Sequence, residues 1–108
     1  MTVTVPPERV FTALADGTRR DLLVLVADRP SSSASALARA LPVSRQAIVK
    51  HLTVLSDAGL VSSEKTGREM CFRVRPEQLT ATAAWMNSLA AAWDARLQEL
   101  KARAEHPE

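Results

Sequence analysis

At 108 residues the chain makes one domain, able to bury a single modest core amounting to about 60 to 70% of its unfolded surface. Its one cysteine, Cys71, excludes both an internal disulfide framework and a Cys-rich zinc site, and three glycines leave little room for a phosphate-cradling loop. The net charge of +2 becomes informative once mapped: residues 39–75 hold seven basic and three acidic side chains, the remainder seven and nine.

The middle third is therefore the basic pole, where an electrostatic footprint for nucleic acid belongs. With no run of 18 apolar residues and no charged-then-apolar leader, the expected address is cytoplasmic, without a membrane partner. Paired carboxylates and a nucleophile–base constellation are missing too, so an enzyme is not expected.

Residues 1–6 read as a short extended arm. Pro7 suits the first position of a helix running to about Ala15, with Val10, Phe11 and Leu14 as its apolar positions, before Asp16-Gly17 breaks it. Thr18 is expected to cap a second helix that turns Leu22, Leu23, Leu25 and Val26 inward and ends at Asp28-Arg29-Pro30. The run Ser31–Ser35 is too short for a linker and leads into Ala36–Leu41, so it reads as an N-cap region. Pro42 stops that helix, leaving Val43 to pack in the turn.

Ser44 to Leu60 is the organising stretch. Ser44 caps the start, Gly59 stands where a left-handed residue closes a helix, and Ile48, Leu52 and Leu55 form a buried stripe. Arg45, Gln46, Val49, Lys50 and Thr53 fall on the other side. That face brings together a guanidinium, a carboxamide and an ammonium, groups able to bond base edges and phosphates in a major groove. His51 borders the stripe and reads as structural or as a phosphate contact.

Beyond Gly59, Leu60–Lys65 and Arg68–Arg75 flank Thr66-Gly67, with Met70, Phe72 and Val74 alternating against Glu69, Cys71 and Arg73, the pattern of a β-hairpin closed by Pro76. Residues 80–105 form a long alanine-rich helix. Trp85, Leu89, Ala92, Trp93, Leu97 and Leu100 give it more apolar surface than a small domain can cover, so a partner helix is implied. Only residues 106–108 look like a tail.

Helix, helix, helix-turn-helix, hairpin, helix is the order of a winged helix-turn-helix, mainly α with a small β-hairpin. The phrases Ala13-Leu14-Ala15-Asp16-Gly17-Thr18-Arg19-Arg20, Leu37-Ala38, Ser44-Arg45-Gln46-Ala47-Ile48, Lys50-His51-Leu52, Val54-Leu55, Ala58-Gly59-Leu60-Val61 and Gly67-Arg68 resemble the ArsR family of bacterial transcriptional regulators over about residues 8–100.

The resemblance implies a homodimer joined through its first and last helices, whose winged domain (7–79) binds double-stranded DNA and whose terminal helix (80–105) dimerises. It implies Ser44, Arg45, Gln46, Val49 and Lys50, flanked by Thr53, at base edges and phosphates, and Lys65, Arg68 and Arg73 as wing contacts to the backbone. It also implies Val10, Phe11, Trp85, Leu89, Trp93, Leu97 and Leu100 in the dimer interface. Repression from a palindromic operator is the expected mode.

Many relatives sense metal through a Cys-x-Cys pair at the start of the third helix. By that resemblance Ser33 and Ser35 correspond here, and neutral hydroxyls cannot replace thiolates, so no metal or cofactor is expected. The segments Ala84-Trp85 and Ala92-Trp93-Asp94 resemble a subgroup without metal motifs, often encoded beside START-like ligand-binding proteins. Both tryptophans are read as dimer-core packing, and a small-molecule effector stays unassigned. Val49 departs from a common serine, and Cys71-Phe72 from paired aromatics. The competing readings are a winged-helix module that binds protein and a metal-responsive repressor of the same family.

Overall fold

The computed structural model describes residues 5–106. Of the expected arm only Val5 and Pro6 fall inside that range, and of the tail only His106. Helix α1 (Pro7–Leu14) begins where proline's fixed φ and missing N–H do no harm, with Val10 and Ala13 buried. Helix α2 (Gly17–Asp28) buries Leu22 and Val26. Its cap is Asp16, whose carboxylate accepts from Arg19 N at 3.1 Å, and not Thr18, which lies inside the first turn.

The serine run holds more than a cap. Ser32–Ser33 form a two-residue strand, β1, and Ser33 then caps α3 (Ala34–Ala40) by accepting from Ala36 N at 3.2 Å. After a turn in which Val43 packs against the core, α4 (Arg45–Asp57) buries Ile48, Leu52 and Leu55, as its stripe requires.

Helix α4 ends in a Schellman motif. Leu60 N donates to Leu55 O and Gly59 N to Ser56 O, each at 2.9 Å, and Gly59 takes φ +76°. Strands β2 (Val61–Thr66) and β3 (Glu69–Val74) follow as an antiparallel hairpin. Its two-residue turn, Gly67-Arg68, has a positive φ, +65°, only at the glycine, the type II′ pattern. Strand β1 pairs with the other side of β3, Ser32 opposite Phe72 and Ser33 opposite Cys71, to give the order β1-β3-β2.

The core lies where α1, α2, α3, α4 and the base of the hairpin meet, closed by Leu37, Leu60 and Val61. Helix α5 (Glu77–Glu105) starts one turn before the expected Thr80 because Pro76 opens it directly after the hairpin. It touches the body mainly through α1 and buries Gln78 and Thr82. Beyond Thr82 every described residue is exposed, and the helix stretches the protein to 72 × 34 × 20 Å. No helix among the described residues is long and apolar enough to cross a membrane.

Candidate nucleic-acid interface

Helix α4 presents its N-terminal half to solvent because its stripe leaves it no choice. With Ile48, Leu52 and Leu55 locked in the core, Arg45, Gln46, Val49, Lys50 and Thr53 are exposed. Ser44 caps the helix by accepting from Ala47 N at 3.1 Å, which keeps its own hydroxyl proton available. No acidic residue occupies the first turn. A cation there adds to the positive end of the helix dipole instead of opposing it, so this tip attracts an anion.

The hairpin supplies the second part of the surface. Arg68 sits in its turn, and Lys65 stands opposite Met70 on the sheet face shared with Phe72. Arg45, Val49, Arg68, Met70 and Phe72 line one cleft of about 360 Å³ between α4 and the hairpin. Arg73 alternates to the opposite face of β3 and borders a separate depression with Val26, Ala27 and Pro30. The structure therefore brings Arg45 and Arg68 together and leaves Arg73 apart.

Among the described residues the ion pairs are Arg75–Glu77, Lys101–Glu105 and Arg103–Glu99. None involves Arg45, Lys50, Lys65, Arg68 or Arg73, and the one carboxylate lining the cleft with Arg45 and Arg68, that of Glu69, is ion-paired to neither. Thr53 Oγ1 donates to Val49 O at 2.9 Å and is left able only to accept. The side chains of Gln46 and Lys50 carry no hydrogen bond among the described residues.

Two functional contacts escaped the sequence reading. Arg45 Nε donates to Ser35 Oγ at 2.9 Å, tying the start of α4 to the start of α3. His51, half-buried, has Nδ1 3.5 Å from Nη1 of Arg19, which brings α4 against the α1–α2 corner. No periodicity marks either pair; the only hint was a basic doublet, Arg19-Arg20, directly after a helix break.

On the remote face, Phe11 and Trp85 approach with ring centroids 6.0 Å apart. Trp85, Leu89, Trp93, Leu97 and Leu100 are 44 to 58% exposed and continue the side of α5 on which Gln78 and Thr82 are buried. Val10 is a correction: at 1% exposure it belongs to the protomer's own core and has no surface to offer a second chain, whereas Phe11 does, at 41%.

Known proteins share this arrangement. A family model described as a helix-turn-helix domain matches residues 14–64. The HTH-type transcriptional regulator Rv2034 of Mycobacterium tuberculosis is 43% identical over 75 residues, 69% of each chain. An ArsR-like transcriptional regulator from Rhodococcus superposes with a TM-score of 0.83 at 46% identity, over 91% of this chain and 92% of that one. The chain belongs to the ArsR family of transcriptional regulators.

As an ArsR-family protein it is a DNA-binding transcriptional regulator and not an enzyme, with α3–α4 as the helix-turn-helix and β2–β3 as the wing. A homodimeric winged helix-turn-helix DNA-binding domain from Mycobacterium bovis is also similar, with a TM-score of 0.62 and 27% identity over 78% of this chain and 77% of that one. At the start of α3 both serine hydroxyls are engaged, Ser33 in capping α3 and Ser35 in holding Arg45.

Proposed function

We propose that two copies of the chain assemble through α5 and Phe11 of α1 and repress transcription by occupying an imperfect palindrome in cytoplasmic DNA. Each α4 enters a major groove with Ser44, Arg45, Gln46, Val49, Lys50 and Thr53 at base edges and phosphates. Lys65 and Arg68 grip the flanking backbone, and Arg73 extends the basic surface on the other face of the wing.

The observation that carries this reading is the exposed basic tip of α4, with no acidic residue in its first turn, beside Arg68 on a helix whose orientation is fixed by three buried side chains. Assembly is supported by the uncovered stripe from Trp85 to Leu100 and by the homodimeric relative from M. bovis. Arg suits guanine and Gln suits adenine, so Arg45 and Gln46 are the readers. Two recognition helices about 34 Å apart correspond to half-sites one helical turn apart.

The test is a mobility-shift titration of the protein against its own upstream DNA at two salt concentrations, with a reporter fused to that DNA. Specific binding that weakens steeply with salt, together with reporter repression, is expected. Equal affinity for random duplex would remove the operator, and retention of an acidic protein without DNA binding would turn the fold into a protein-binding module. Derepression by added zinc would assign a metal response instead.

A further inference from the structure

The bond between Ser35 and Arg45 lies where two otherwise separate parts of the surface meet. Arg45 is the first residue of α4 and exposed; Ser35 is half-buried at the start of α3. Ser35 Oγ accepts from Nε, at 2.9 Å. Of the guanidinium's five N–H groups this uses one and leaves the Nη1–Nη2 edge without a protein partner among the described residues. That free edge is the fork that bonds O6 and N7 of a guanine.

An unrestrained arginine at a helix tip samples many rotamers, and each frozen on binding costs affinity and blurs discrimination. We infer that Ser35 is a positioning residue that sets the orientation of Arg45 and so the sharpness of its base reading. Ser35 itself is held firmly, because Ser33 caps α3 and pairs with Cys71 of β3. Wing, β1, α3 and the reading arginine thus form one connected frame, in which Arg45 is aimed by the body of the protein and not by α4 alone.

The inference rests on the DNA-reading role proposed above for Arg45. Its test uses the full chain, a duplex enriched by the wild-type protein from a random library, every single-base-pair variant of that duplex, and an unrelated duplex. Arg45→Ala identifies the base pair at which Arg45 discriminates. Ser35→Ala is expected to reduce discrimination at that same pair about three- to tenfold, the usual reach of one hydrogen bond, with affinity for the unrelated duplex and Tm unchanged.

Ser35→Thr keeps the hydroxyl and should restore discrimination. Ser35→Asp should abolish it by closing the guanidinium into an ion pair. The double variant Ser35→Ala/Arg45→Ala should discriminate no worse than Arg45→Ala alone, since the serine acts through the arginine. A wild type that discriminates while Ser35→Ala discriminates equally well overturns this inference and leaves the DNA-reading role standing, as does an additive double variant. A wild type with no sequence preference overturns both.

Discussion

Arg19 Nε donates to the carbonyl oxygen of Ala13 at 2.7 Å, so the end of α1 is closed by a side chain of the helix that follows it. Nη2 of the same residue donates to Thr12 O at 3.1 Å, and Arg20 Nη1 to Leu14 O at 2.7 Å. Those carbonyls form the negative end of the α1 dipole, and of the three only Thr12 O also accepts from a backbone N–H there, that of Ala15 at 3.3 Å, so a cation is the fitting cap. Arg19→Ala should lower unfolding stability by about 1 to 3 kcal/mol in urea, while Arg19→Lys, which cannot fork between two carbonyls, should recover only part of it.

Asp16 supplies an acid-sensitive element at the same corner. The bond from Arg19 N–H, helped by the charges of Arg19 and His51, holds its carboxyl below the usual aspartate range. A folded pKa lower than the unfolded one gives stabilisation that is complete above the unfolded value and fades as pH falls through the folded one. Wild type should therefore lose Tm more steeply than Asp16→Asn as pH drops below about 4, because the amide still caps but does not titrate. Parallel Tm curves for the two would contradict this.

Gly59 is constrained twice. Its φ of +76° strains any L side chain, and a Cβ there would lie 2.7 Å from Gln78 Cγ and 3.2 Å from Val5 Cγ2. Gly59→Ala should cost about 1 to 3 kcal/mol. Gly67, at φ +65° with nothing within 4 Å, meets only the conformational term, so Gly67→Ala should cost less. Chemical denaturation of the two variants side by side measures the difference.

Trp93, on the uncovered stripe, tests assembly. Trp93→Glu places a charge at the centre of the proposed dimer contact without touching the protomer core, so sedimentation should show monomers whose far-UV circular dichroism matches the wild type. Operator affinity should fall with it. A dimer that survives the substitution would move the contact elsewhere.

Arg68 and Arg45 should fail in different ways. Arg68→Ala, in the wing turn, is expected to weaken cognate and random duplexes alike and to reduce the slope of log affinity against log salt by about one. Mobility shifts at several salt concentrations measure that slope.

Helix α4 was legible in the sequence because cap, stripe and closing glycine all lie within one continuous stretch and agree. The hairpin was legible for the same reason, from alternation around Gly67. Strand β1 was not: Ser32-Ser33 has no alternation to read, and its pairing is set by β3, some forty residues on. Asp16 and Thr18 are both competent caps two residues apart, and it is Asp16 that takes the extended backbone of a cap and accepts from Arg19 N. The apolar positions of α1 announce a buried face but not whose core it serves, and the fold separates Val10, in the protomer's own core, from Phe11 on its surface. The Ser35–Arg45 bond crosses a turn between two helices, and no local pattern encodes such a meeting.

Helix α5 is buried against its own body only as far as Thr82 and last touches it where Trp85 meets Phe11, and from there it runs on as a lever to Glu105. At 1.5 Å of rise per residue, swinging that arm by about 10° carries its tip about 5 Å, roughly one and a half base-pair steps along a duplex. In the proposed dimer, any mutation that loosens the seat of Gln78 and Thr82 would retune the distance between two DNA-reading heads without approaching either one.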